Sequence, residues 1–359
     1  MGYLNCSSEG CLGKPSDFPP PEAAAHADSC AAALQLPKVA LMFLTRGDLY
    51  HEPTWRLWFQ YAANLVPLDA VRAGQCSADR LHAISQHCAS KRSGSDALAQ
   101  QHLFNVYIHS SPDWPGYPKG NIFRGRELTQ RVNASWGTHA LIDATRLLIA
   151  AALRDPNNHK LVLLSEAVLP LFPPTLIYQQ LMTEDKSRVN ACEHEAMNLE
   201  RWHPNMTDGR FTKADWRKSS QWVALTRHHA AIARDDTYLN AIFQRWCYSR
   251  KDPLLAKWYD CYSDEHYIPS LLAYNGETDA ADCAGKMVHV DWSMGGPHPM
   301  TYAPDDITAD RFMNLRSGDG CHAAAAMRLV GDMVLPANQV TMKQHVVLIL
   351  NKATGAALA

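Results

Sequence analysis

The stretch "KVALMFLTRG", residues 38–47, decides the fold. An unbroken apolar run goes from Val39 to Leu44, and Thr45, Arg46 and Gly47 follow at once. A run this short and this uniformly apolar suits a strand buried on both faces, as at the centre of a parallel sheet. The chain repeats the device twice. "LFNVYIHSSPD" (103–113) carries a second run, Leu103 to Ile108, ending in His109 and a polar turn. "KLVLLSEAVLPLF" (160–172) carries a third, Leu161 to Leu164, which delivers Ser165 and Glu166 at its carboxyl end.

Helices are expected between and after these strands. From about Pro53 to Leu65, Trp55, Trp58, Phe59 and Ala62 recur at helical spacing, and Pro53 is tolerated in a first turn. "SWGTHALIDATRLLIAAALRDP" (135–156) aligns Leu141, Ala144, Leu148 and Ala151 on one face before Asp155-Pro156 ends it. "PPTLIYQQLM" (173–182) reads as the helix after the third strand. Strand and helix in alternation predict an α/β domain with a mostly parallel central sheet flanked by helices. Ligands of such sheets sit at the carboxyl ends of the strands, where Thr45, His109 and Glu166 all lie.

The remainder is less regular. Residues 1–37 are rich in Pro, Ala, Ser and Gly and read as a flexible leader; residues 69–101 read as a polar, helical surface excursion. "DWRKSSQWVALTRHHAAIA" (215–233) looks like a loop feeding a helix, with the histidines of "RHH" solvated. "MVHVDWSMGGPHPMTY" (287–302) is a strand running into a turn, and "DDITADRFMNLR" (305–316) a short acid-capped helix. The expected organisation is a leader (1–37), one domain (38–320) and a divergent C-terminal segment (321–359).

Composition narrows the function class. Hydrophobic residues make up 47% and charged residues 19% of 359, which is globular. Thirty-four basic residues against 36 acidic ones, with no basic block, argue against a nucleic-acid partner. No stretch approaches the ~20 apolar residues of a membrane span. Ten cysteines fit no zinc-site spacing, which leaves either disulfides in an oxidising compartment or scattered buried thiols. Cys247 and Cys261 flank one short aromatic segment and could close a loop, contributing roughly 3 kcal/mol. Sequons at Asn5, Asn133 and Asn205 add a weak hint of secretion.

Three stretches could carry chemistry. In "CYSDEHYIPSLLAYNG" (261–276), Ser263 suits an N-cap, and Asp264 and Glu265 suit a first turn, where the helix dipole favours negative charge. Pro269 complicates that reading, because proline inside a helix removes a hydrogen bond. Either the helix starts near Pro269 and "SDEHY" is a turn presenting acids to a cleft, or the helix is kinked. An ionised carboxylate there would serve as a general base. "VDWSMGGPHP" (290–299) describes a rigid turn with one aromatic, Trp292, which either stacks on a sugar ring or plugs the core. "DWRKSSQW" (215–222) sets Trp216 and Trp222 beside Arg217 and Lys218, either to hold an anionic donor or as a basic loop with buried indoles. Phosphate-loop, hydrolase-elbow and dinucleotide motifs are missing, as is a metal-holding D-x-D; "ETD" (277–279) is the nearest approach.

In order, "KVALMFLTRG", "NVYIHSSPD", "WGTHALIDATRLLIAAALRDPNNHKLVLLSEAVLPL", "DWRKSSQW", "YSDEHYIPSLL" and "VDWSMGGPHP" resemble the plant branch of the core-2/I-branching glycosyltransferase family (family 14). The resemblance spans about residues 38 to 307. It implies a GT-A-like fold and an inverting transfer from a UDP-sugar to a glycan or glycoprotein, with no metal or other cofactor. The donor sugar would be N-acetylglucosamine or another hexose or pentose such as xylose. The family's catalytic glutamate maps onto Glu265. Donor contacts map near Thr45, Arg46 and His109, with Glu166 on the same strand edge. Trp216, Arg217 and Trp292 fall on the acceptor side. Family members are type II Golgi membrane proteins facing the lumen, and no such anchor is read in this chain. The family's basic diphosphate-holding segment is replaced by "GCHAAAAMRLVGDMVLPANQVTMKQHVVLILNKATG" (320–355), where Arg328 and Lys343 are the nearest candidates. That divergence keeps open a non-catalytic carbohydrate-binding protein with a degenerate transferase fold.

Overall fold

A computed structural model describes residues 37–62, 103–194, 197–252, 256–284 and 287–293, six single positions between 295 and 311, and 347–349. The leader up to residue 36, the whole 69–101 excursion and Arg328 and Lys343 lie outside the described residues, and of "DDITADRFMNLR" only three positions lie inside. No described helix is long and apolar enough to cross a membrane.

The three apolar runs are strands β1 (Lys38–Leu44), β2 (Phe104–His109) and β3 (Asn158–Ser165). β1 lies between the other two and pairs in parallel with both, so Leu44 sits opposite His109 on one side and Ser165 on the other. A fourth, antiparallel strand, β5 (Ala224–Thr226), completes the order β2-β1-β3-β5. β5 falls in the stretch expected to be a loop, because three residues are too few to show a period. β4 (Val168–Leu169) follows β3 and joins β8 (Val288–His289) and β9 (Val347–Ile349) in a small second sheet.

Strand alternation divides the core into two layers. Val39, Leu41 and Phe43 face α1 (Glu52–Ala62) and α3 (Pro174–Thr183), together with Val106, Ile108, Val162 and Leu164. The indole N–H groups of Trp55 and Trp58 donate to the carbonyls of Val168 and Phe172, so two large aromatics are buried without stranding a donor. Ala40, Met42 and Leu44 face the opposite layer, built from α2 (Ala140–Ala152), α4 (Arg227–Asp235), α5 (Tyr238–Trp246) and α6 (Ser263–Tyr274). The result is a helix–sheet–helix sandwich, as expected from the sequence.

Two disulfides brace the α6 layer. Cys247–Cys261 closes the predicted loop, which contains the hairpin of β6 (Ser249–Lys251) and β7 (Trp258–Asp260). It ties the end of α5 to the residue just before Tyr262, which caps α6. Cys192–Cys283 joins residues 91 apart in sequence.

Candidate active site

The carboxyl edge of the sheet gathers the predicted donor-side residues, but their side chains differ in what they can do. Thr45 is buried, and its hydroxyl accepts from the Gly47 N–H at 2.9 Å, shaping the turn after β1. Gly47 carries no side chain for a reason: a Cβ there would lie 2.6 Å from the Trp114 ring. His109 is also buried. Its Nε2 accepts from the Val132 N–H at 3.0 Å, which pins the long connection leaving β2, while Nδ1 meets no partner among the described residues. Burial holds the His109 imidazole below its usual pKa, so neutrality suits this accepting role. Arg46 is exposed, and Glu166 is partly buried. Burial pushes the Glu166 carboxyl up, with its own backbone N–H and then Arg46 pulling it back. Thr45 and His109 therefore shape the edge, and Arg46 and Glu166 present charge on it.

Glu265 stands at the start of α6, which begins at Ser263 and runs through Pro269. The helix does not start at the proline. Pro269 has no N–H to give the carbonyl four residues back, and that carbonyl belongs to Glu265. The Ser219 N–H takes the place at 2.9 Å. Two further bonds lay the "DWRKSSQW" segment along the helix. The Arg217 N–H donates to Ser270 Oγ, and His266 Nδ1 meets the Arg217 carbonyl at 2.7 Å. Lys218 is thereby held with its Nζ 3.6 Å from Glu265 Oε2. Arg201 Nη1 donates to the same oxygen at 2.6 Å. Among the described residues, no hydrogen bond is found for Oε1, so one oxygen is clamped while the other can meet a hydroxyl.

His266 supports this clamp. It is fully buried, stacks on Trp216 at 4.2 Å between centroids, and is pushed down to about 3 by burial. A neutral ring donating from Nδ1 leaves Nε2 to accept from Arg201 Nη1, 3.5 Å away.

Several expectations need correction. Trp216 does not face an acceptor: its exposure is 0%, it stacks on Phe243 and His266, and its Nε1 donates to the Met197 carbonyl. Arg217 is buried too, with its guanidinium donating to the carbonyls of Ala191, Ala214 and Trp216. Both hold the segment that positions Lys218. Trp292, 53% exposed, does lie on a tight turn; Asp291 accepts from the Ser293 N–H and Tyr302 hydroxyl there. Ser263 is not the N-cap, since Tyr262 precedes the helix and Ser263 Oγ meets His139 Nδ1 at 3.1 Å. His229 of "RHH" is buried rather than solvated. Arg201 stands in no local motif of the sequence and reaches Glu265 only through the fold.

His228, His229 and Glu277 bring ligand-type atoms within 4.8 Å of one another, a set that could hold a metal ion. They adjoin Thr226, which pairs with Lys160 near the start of β3. That is the end of the strand remote from Glu166.

Asp264 departs furthest from its expected role. Its Oδ1 is buried with no hydrogen-bond partner among the described residues. Burial, and then the Glu265 charge, push its carboxyl from 3.8 up to about 6, outweighing first-turn N–H groups and Arg201. Because the folded value is raised, the folded state binds more protons between about pH 4 and 6 than the unfolded chain does. Stability therefore falls as pH rises through that window, by up to about 3 kcal/mol at pH 7. Asp264→Asn removes the ionisation and is expected to raise the melting temperature at pH 7 but not below pH 4. A variant less stable than the parent at pH 7 would restore the helix-capping role.

Residues 95–316 match the Core-2/I-Branching enzyme family profile. That match covers more than half of the chain. The protein belongs to the Core-2/I-branching enzyme family. It is also similar to "Glycosyltransferase BC10" of Oryza sativa subsp. japonica, 29% identical over 244 residues. The aligned region spans 61% of this chain and 60% of that relative's length. In this Core-2/I-branching protein both the sheet edge of β2 and β3 and the start of α6 fall inside the matched region.

Proposed function

We propose that this protein is a glycosyltransferase that moves a sugar from a UDP-sugar to a hydroxyl of a glycan or glycoprotein, with inversion and without a metal. The observation that carries the reading is Glu265: a carboxylate at a helix start, one oxygen clamped by Arg201 and Lys218 and the other accessible. In the reaction, Oε1 of Glu265 takes the proton of the acceptor hydroxyl as that oxygen bonds to the anomeric carbon. The bond from that carbon to the UDP phosphate oxygen breaks, and UDP leaves with the electron pair. Attack opposite the leaving group inverts the centre. Arg46 at the β1 end is a described cation suited to the departing diphosphate, and Arg328 is a candidate outside the described residues. Among the described residues the carboxyl edge carries no pair of aspartates spaced as D-x-D, and Glu277 of "ETD" is engaged by His228 and His229. The donor would be UDP-N-acetylglucosamine or another UDP-hexose or UDP-pentose. Two disulfides suit an oxidising lumen, and by resemblance the native setting is the Golgi, on a membrane-anchored form.

A second reading is a carbohydrate-binding protein that has lost turnover. It is favoured by the Arg201 and Lys218 contacts to Glu265 Oε2, at 2.6 and 3.6 Å, which engage the carboxylate in structural ion pairs. A donor screen separates the two. UDP release from at least one UDP-sugar, undiminished by EDTA, is the expected result. A strict Mn²⁺ requirement would overturn the metal-independent mechanism, and saccharide binding without UDP release from any donor would favour the second reading.

A further inference from the structure

We propose that Trp136 and Tyr262 form an aromatic platform that seats a pyranose ring of the acceptor saccharide next to Glu265. The proposal rests on the carbohydrate-directed reading above but not on turnover.

Trp136 lies in the connection that His109 pins, and it is 59% exposed, which is unusual for an indole. Its ring is 5.1 Å from that of Tyr262 at a tilt of 43°. Next to it, Gly137 has φ +76, and a Cβ there would lie 3.5 Å from the Tyr262 ring, so the backbone itself lies against the tyrosine. Tyr262 is fixed at its other end, donating through its hydroxyl to Asp260 Oδ1 at 2.7 Å. Ser249 Oγ donates to that same oxygen. The pair is thus held by the fold, although both residues lie at the surface.

What the platform would hold follows from its rim. The Arg201 guanidinium sits 4.8 Å from the centre of the Tyr262 ring while donating to Glu265 at 2.6 Å. A purely apolar partner covering these rings would strip water from Arg201, Glu265 and Asp260 with nothing in return. A pyranose suits both needs, because its C–H face lies on aromatic rings and its peripheral hydroxyls reach charged groups. Trp258, 62% exposed, stands two residues before Asp260 on β7 and so on the same side of that strand, which would let a longer saccharide continue past the first ring. Arg201 bridges the platform and Glu265, so a sugar on Tyr262 has its hydroxyls beside the proposed base.

Saturation-transfer NMR with lactose, cellobiose, xylobiose and chitobiose as probes tests this on the full chain. We expect ring protons of at least one disaccharide to be saturated, Trp136→Ala to weaken that binding at least tenfold, and Trp136→Phe to retain most of it. UDP affinity and melting temperature should stay within twofold and a few degrees of the parent. No binding of any of the four probes, or equal binding by Trp136→Ala, would overturn the platform. Lost UDP affinity with saccharide binding intact would assign the indole to the donor base and overturn it equally. The transferase reading fails separately: Trp136-dependent binding with no UDP release from any donor sinks turnover and leaves the platform standing.

Discussion

Glu265→Gln is expected to lower turnover by roughly 10²–10⁴-fold, the usual loss when a positioned general base is removed. The amide keeps the shape of the carboxylate and can still accept from Arg201, so the start of α6 should be undisturbed. The ion pairs it loses are partly exposed, and pairs of that kind contribute only about 0–1 kcal/mol. Melting temperature and UDP-sugar affinity should therefore hold nearly constant while the rate collapses. Single-turnover kinetics with calorimetric donor binding makes the measurement. If turnover per folded molecule survives in the variant, Glu265 is only a helix-start acid and the base lies elsewhere.

Trp216→Ala should cost roughly 3–5 kcal/mol of stability, as truncation of a fully buried large aromatic does. The indole fills the space between Phe243 and His266, meets Trp202 edge-on and donates to the Met197 carbonyl. Removing it leaves a cavity and an unpaired carbonyl, and frees the imidazole whose Nε2 backs Arg201. Denaturant unfolding reads the loss directly. An acceptor-contact role predicts the opposite pattern, a normal midpoint with a raised KM for acceptor. Finding that pattern would put Trp216 back in the cleft.

The strands were legible because each is a run of apolar residues too short for a helix, and burial on both faces tolerates nothing else. Their parallel pairing was legible as well, since long connections with a helical period favour parallel neighbours, whereas the central place of β1 came only from the fold. β5 was not, because three residues sandwiched between a loop and a helix carry no period. Cys247–Cys261 could be guessed from a short separation, whereas Cys192–Cys283 joins segments brought together only by α4 to α6.

At the site the division is sharper. The sequence by itself determined the α/β sandwich, the strand ends that carry Thr45, Arg46, His109 and Glu166, and an acidic pair at 264–265 that Pro269 left either on a helix start or in a turn before one. These follow from local pattern, which acts over a few residues. Only the tertiary structure decided which member of each pair faces solvent. It buries Asp264 Oδ1 and leaves Glu265 Oε1 accessible, hides Trp216 and Arg217 while presenting Lys218, and brings Arg201 across from another segment. The proline that made the helix start ambiguous turns out to free the Glu265 carbonyl for Ser219, which lays a distant loop beside the acid. Charge, exposure and hydrogen-bond partners at these positions depend on residues some 50 to 60 places away, and no local pattern encodes contacts at that range.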